Sequence, residues 1–316
     1  MSTTVETRPG AGDQPPAPGG GAALWRAGNW ARRAPLLPAL IFMIIVTQLP
    51  FVGTLVLSFV NWNAYYPDEI GFVGFDNFAT VLSDPNTRSA IWITIRLTAA
   101  VVLVSLVLGL VIALLLDRAF FGRGIVRTMM ITPFLIVPVA AALLWKHALY
   151  NPSYGLFSGL LRGLFGDGAP QPDWISEAPL TAVVASLVWQ WTPFMMLIVL
   201  AGLQSRPLDV IEAAKIDGCS AWQVFIHMTL PHLRQYLELG ALLGSIYIVQ
   251  NFDAVFTITS GGLGTANLPY EIYRIFYNAK EYGQASAAGV IVVIGTILIA
   301  TFALRTVSSL FREEMR

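Results

Sequence analysis

Chemistry has few places to reside in this sequence. Two stretches within otherwise apolar runs combine polar and aromatic side chains: Trp189-Gln190-Trp191-Thr192-Pro193-Phe194, and Tyr247 followed by Gln250, Asn251, Phe252 and Asp253. A polar group inside a long apolar run is costly to bury and therefore informative. Amides and a carboxylate beside ring faces suit a polyhydroxylated ligand, because a pyranose offers an apolar C–H face to a ring and hydroxyls to the amides. Hydrogen bonding between helices and interface packing use the same groups, and that reading stands beside the first for each residue. Tyr247 and Asn251, four apart, share a face if the helix is continuous. Asp253 lies about one turn from the end of its run and reads as a gate or a structural pair.

A third stretch, between Gln204 and Glu238, is polar and carries Glu212, His227 and His232. An acid near a helix start can pair with an arginine of a partner or cap its own helix. Two histidines five apart across Pro231 make a poor metal site, so they read as solvated or partner-facing. Cys219 is the single cysteine; it excludes an internal disulfide and a cysteine-based zinc site, and reads as a small packing residue. A phosphate-cradling G-x-x-x-x-G-K-S/T is missing, and the Gly-rich run 261–264 lacks the lysine. With no Ser/His/Asp, H-E-x-x-H or paired-carboxylate arrangement, the expected chain is not an enzyme and holds no cofactor or metal of its own.

The elements that must position these groups are membrane spans. Of 316 residues 55% are apolar and 12% charged, about half the charge of a soluble domain. The apolar residues gather into runs of bilayer length: 36–60, 97–116, 128–145, 178–204, 239–258 and 283–304. Arg96 stands at the start of the second, where it can snorkel. Pro133 and Pro138 fall in the third and are tolerated if neighbours re-satisfy the freed carbonyls. The expected fold is all-α, a polytopic membrane protein of six transmembrane helices spanning 31–310. Residues 1–30, rich in Pro and Gly, form a disordered tail, and 311–316 a short C-terminal one.

Net charge is zero, which leaves no electrostatic footprint for nucleic acid. Sorted by side, thirteen of the nineteen basic residues share the side of the termini and six face the other. The positive-inside rule then puts both termini in the cytoplasm. On that topology the aromatic-rich loops 61–89 and 147–177 lie outside, as interfacial anchors or as docking surfaces for an external partner. The polar insert 205–234 lies inside. There Pro207 precedes an amphipathic helix Leu208 to Asp217, and Gly218 supplies a left-handed stop. Ser220 and Gln223 have capping-box spacing for a second helix, expected to end at Leu230-Pro231. An insert of this size is a knob for another protein to grip.

The insert resembles the EAA motif of bacterial ABC importer permeases. Glu212-Ala213-Ala214, Gly218, Met228 and Leu230-Pro231 stand at its spacing, with Met228 where isoleucine is usual. The wider Glu212-to-Gly218 run and Trp222-Gln223-Val224-Phe225 are similar to the carbohydrate-uptake branch. So are Gly74-Phe75-Asp76-Asn77-Phe78, Asn151-Pro152-Ser153-Tyr154-Gly155-Leu156, and Asn251-Phe252-Asp253 with Thr259-Ser260-Gly261-Gly262. The branch usually continues GGP, whereas here Leu263-Gly264 follow. The resemblance implies a permease subunit in the bacterial plasma membrane for a disaccharide of the trehalose or maltose type. Its coupling residues would be Glu212, Ala213, Ala214, Asp217, Gly218, Leu230 and Pro231. Its partners would be a second, non-identical permease, two cytoplasmic ATPases that bind ATP and Mg, an extracytoplasmic sugar-binding protein and membrane lipid. It also implies that Gln190, Trp191, Phe194, Tyr247 and Asn251 lie near a central cavity, with Gln250 and Asp253 on the same pathway. The alternative is a proton-coupled secondary transporter with Asp253 or Glu238 as carrier, which would usually show inverted repeats.

Overall fold

The structure is a computed structural model that describes residues 34–166 and 168–312. The expected tail at 1–30 and residues 313–316 lie outside the described residues. Helix α1, Leu37–Leu57, is apolar on every face and has no buried residue, the composition that a lipid environment selects. The chain divides after Gly53 into two units.

The second unit opens with a two-residue antiparallel ladder, β1 (Val60–Asn61) with β2 (Gly71–Phe72), a small exception to an all-α expectation. Then come α2 (Asp76–Ser83), α3 (Pro85–Asp117), α4 (Arg123–Leu135), α5 (Pro138–Leu143), α6 (Leu156–Phe165), α7 (Trp174–Glu177) and α8 (Pro179–Gln204). The short helices α9 (Leu208–Ile216) and α10 (Ala221–Val224) follow, then α11 (Leu230–Val249), α12 (Asp253–Thr259), α13 (Leu268–Tyr273) and α14 (Tyr282–Arg312). Among the described residues four helices are long and apolar enough to cross a membrane; the crossings number six if each of two bent pairs counts as one.

Helix α3 starts twelve residues before the predicted run. Asp84 caps it by accepting from the Asn86 N–H, and Pro85 pre-sets the first turn. Its 33 residues extend about 50 Å, well beyond a hydrocarbon core of about 30 Å. Arg96 is therefore three turns inside the helix, with its guanidinium 5.8 Å from the Trp92 ring centroid. α3 packs along α8, and α11 closes the groove between them. Leu97, Val101, Val183, Met195, Val199, Leu233 and Ile248 are buried there.

The third predicted span is sharply broken. Pro138 forces Val137 into extended backbone (ψ 132°), Ile136 is extended too (ψ 136°), and the two halves meet at 95°. The second break lies at Gln250–Phe252, where α11 and α12 diverge by 51°. At the opposite end from the 205–234 loop, a cap ties the elements together. Asn77 donates to the Ser58 and Val60 carbonyls at 3.0 and 2.9 Å. Tyr282 N–H reaches the Trp62 carbonyl at 2.8 Å. Arg274 holds Glu271, 2% exposed, through both carboxylate oxygens at 2.5 and 2.9 Å and reaches Asp84 at 3.4 Å. The hydrogen bonds to Glu271 raise the Arg274 pKa further, so this fastener stays charged.

The α3–α8 crossing is a close backbone approach. A Cβ on Gly109 would lie 2.8 Å from both the Met195 Cβ and the Met196 nitrogen. Gly109→Val should force the helices apart at a cost of about 1–3 kcal/mol. Thermal unfolding in detergent should fall by at least about 2–4 °C. Gly295→Ala, where a Cβ meets open space, should leave the transition in place.

Candidate functional site: a polar loop and an aromatic cluster

The 205–234 loop is built as a rigid corner. α9 ends in a Schellman motif: Gly218, at φ 89°, donates to the Lys215 carbonyl at 3.1 Å and Cys219 to that of Ala214 at 3.0 Å. Ser220 and Gln223 then form a complete capping box. Ala214 is buried under the corner, whereas Glu212, Ala213 and Asp217 are exposed, Asp217 as the C-cap of α9. Glu212 is the fifth residue of α9, and Asp209 occupies the first turn, so self-capping by Glu212 is not what the geometry offers. The loop instead presents apolar groups to solvent, Ile216 at 86% and Trp222 at 70% exposed, with Trp222 set against Phe225 at 5.7 Å.

Leu230-Pro231 does not stop the second helix. Residues Phe225–Thr229 form a π turn in which the Leu230 N–H bonds five residues back to Phe225. The wider coil accommodates a proline ring that an α-turn would crowd, and the chain runs on into α11. Two smaller expectations also change. Cys219 is exposed, not packed. His232 is half-buried, its Nε2 within 3.1 Å of both Ser205 Oγ and the Gly202 carbonyl, while His227 Nδ1 contacts the Gln223 carbonyl at 3.0 Å.

Below the loop, one guanidinium joins three helices. Arg206 donates through Nε to the Leu203 carbonyl at 2.8 Å, through Nη1 to Thr229 Oγ1 at 3.3 Å, and through Nη2 to the Asp117 carboxylate. Ser205 Oγ adds the Tyr236 hydroxyl at 2.8 Å, and Arg127 reaches the Leu116 carbonyl at 3.1 Å.

The predicted pathway residues divide into two groups. Trp191 and Phe194 on α8, Phe134 on α4 and Tyr247 on α11 form one cluster with centroid separations of 5.3–5.6 Å. Tyr247 leaves more than half its surface open. Gln190 points away into the protein, donating to the Ile136 carbonyl at 3.2 Å. Asn251 does not share a helical face with Tyr247, because α11 ends at Val249. Its carbonyl accepts from Asn267 at 2.5 Å and its side chain from the Ala254 N–H at 3.4 Å. Gln250 is exposed at the C-cap of α11, and Asp253 opens α12, where the helix dipole favours an acid. Two apolar grooves, of about 360 and 710 Å³, are lined by none of these residues.

The remaining motifs are turns. Asn151 Oδ1 accepts from the Ser153 and Tyr154 N–H groups at 2.9 and 3.2 Å, and a Cβ on Gly155 would lie 2.4 Å from the Asn151 carbonyl. In the 259–264 turn a Cβ on Gly261 would strike the Tyr270 ring at 2.1 Å. Leu263 sits at φ 54°, which proline cannot adopt, so this turn differs from a GGP turn.

The family described as binding-protein-dependent transport system inner membrane component matches residues 105–312, which include the loop, the aromatic cluster and both ends of the Arg206 network. This chain belongs to that family. The permease is 37% identical over 272 residues to a probable ABC transporter permease, y4oQ of Sinorhizobium fredii, covering 84% of this chain and 85% of the relative. It is 33% identical over 265 residues to the trehalose transport permease SugA of Mycobacterium tuberculosis, covering 84% of each. A third relative, the trehalose/maltose permease MalF of Thermococcus litoralis, is 33% identical over 82% of this chain and 87% of that protein. A crystal structure of a bacterial alginate ABC transporter with its pentasaccharide-bound periplasmic protein shares the fold, at TM-score 0.75 and 24% identity over 89% of this chain and 95% of that one. The permease is thus a multi-pass inner-membrane protein.

Sequence reading missed Phe134, Asp117, Arg206 and Thr229. Phe134 looks like one more apolar residue beside Pro133. Asp117 carried the one available signal, a carboxylate at a helix C-terminus, where the dipole disfavours it unless a cation stands near.

The division among pathway residues is measurable by stability. Gln190→Leu removes the amide that satisfies Ile136 and should cost about 0.5–2 kcal/mol. The readout is thermal unfolding of the purified permease. Tyr247→Ala, which trims a largely open ring, should cost less than half as much. Equal losses would mean that Tyr247 is structural too.

Proposed function

We propose that this permease is one of two membrane subunits of an ATP-driven sugar importer that catalyses alternating access without hydrolysing ATP itself. Both termini and the 205–234 loop lie in the cytoplasm, as the thirteen-to-six bias in basic residues favours. The observation that carries the reading is the loop: a corner locked by a Schellman motif and a capping box, with Ile216, Trp222 and Glu212 turned outward. Exposed apolar groups on a rigid corner fit a cleft in another protein. That protein is one of two cytoplasmic ATPases carrying ATP and Mg, whose closure moves α8 and α11 as levers.

The substrate is a sugar, in the finer reading a disaccharide of the trehalose or maltose class. Support comes from what the named relatives transport and from the Trp191–Phe194–Phe134–Tyr247 cluster, whose open Tyr247 edge offers ring faces to a pyranose. A single subunit would line half of such a pathway, in keeping with the absence of Trp191, Phe194 and Tyr247 from either apolar groove. A second, non-identical permease completes it, and an extracytoplasmic sugar-binding protein delivers the substrate to the cap end. The proton-coupled alternative draws no support from the relatives.

The test is uptake by the complex reconstituted in liposomes. Glu212→Lys and Gly218→Trp should abolish ATP-driven uptake while membrane insertion stays normal. Full transport by either variant would remove the coupling role of the loop. Trp191→Ala should raise the sugar concentration needed for half-maximal uptake by about tenfold, the equivalent of ~1.4 kcal/mol. An unchanged concentration dependence would place sugar recognition elsewhere.

A further inference from the structure

We infer that Arg206 and Asp117 form the strut that passes motion of the 205–234 loop to α3, and that this ion pair sets how tightly ATP hydrolysis is coupled to transport. The inference rests on the proposed coupling role of the loop. Arg206 stands between the C-cap of α8 and Pro207, so it is the residue through which the chain enters the loop. Thr229 closes the π turn through which the chain leaves it. One guanidinium bonds both hinges, through the Leu203 carbonyl on the entry side and Thr229 Oγ1 on the exit side. Its remaining arm holds Asp117, the last residue of α3.

The loop makes its direct chain connections to α8 and α11 only. α3 has no covalent link to it, yet packs along α8 for most of its length. Without this strut, the end of α3 would follow the loop only indirectly, through apolar packing against α8, which slides more readily than a charged hydrogen bond, and through the Arg127 contact from α4 to the Leu116 carbonyl. Asp117 is placed against its own helix dipole, so α3 gains from keeping the cation near. Arg206 and Asp117 are 15% and 27% exposed at the side chain, shielded enough for direction to matter and open enough to rearrange. Lysine would be a poor substitute, because a single ammonium cannot hold three acceptors at fork geometry.

The experiment uses the full complex in liposomes, measuring uptake and ATP hydrolysis together as ATP consumed per sugar imported. Asp117→Asn and Arg206→Gln should assemble and hydrolyse ATP, yet consume at least about fivefold more ATP per sugar, a loss of ~1 kcal/mol of coupling. The exchange Asp117→Arg with Arg206→Asp should recover part of that ratio, because it restores an opposite-charge pair at the same two positions. Thr229→Val, which keeps shape and removes one acceptor, should give a smaller change in the same direction. Wild-type stoichiometry in the single variants overturns the inference. So does a fall in uptake and hydrolysis in parallel with complex yield, unrelieved by the exchange, because that marks an assembly role. If the wild-type complex imports nothing on ATP but does so on a proton gradient, the proposed function itself fails, which is a separate outcome.

Discussion

Every backbone N–H and C=O that leaves a helix within a bilayer must find a partner in the protein, since no water is there to supply one. Two apolar helix pairs of this permease are bent at a break in the backbone, and side chains near those breaks satisfy some of the freed groups. Pro138 opens the first, and Gln190 donates to the Ile136 carbonyl. At the second, Asn267, fully buried, bonds the Asn251 carbonyl, and at the far end of α12 Lys146 donates to the Thr257 carbonyl at 2.7 Å. Side chains that resemble ligand groups in sequence are thus partly committed to the backbone.

The rings left over from that task form the aromatic cluster with an open edge at Tyr247. Trp191, Phe194 and Tyr247 come from two helices, α8 and α11, whose close contact depends on Gly202 and Gly244, each too close to a neighbour for a side chain. Close helix approach sets where the rings meet, and one open edge remains. At the loop end the same economy recurs: a Schellman corner, a capping box and a π turn satisfy the backbone locally. Glu212, Ile216 and Trp222 are thereby left exposed.

Much of this was legible in the sequence, for identifiable reasons. The EAA spacing, Gly218 and the Ser220–Gln223 pair are local signals whose meaning depends on a few neighbouring residues, and the corner formed as expected. Local signals misled where backbone context intervened. Leu230-Pro231 reads as a stop, yet the π turn carries the helix through. Tyr247 and Asn251 read as one face, yet the helix ends between them.

The sequence by itself determined that the chain spans a membrane, roughly where its apolar helices lie, and where the 205–234 loop turns its corner, because hydropathy, caps and motif spacing are short-range properties. Only the tertiary structure decided which polar residues are spent on packing and which are open. It also paired Asp117 with Arg206, 89 positions apart, and brought Phe134 to Trp191. Those pairings depend on the angle of the breaks and on how closely helices cross, and such distances arise between segments far apart in the chain.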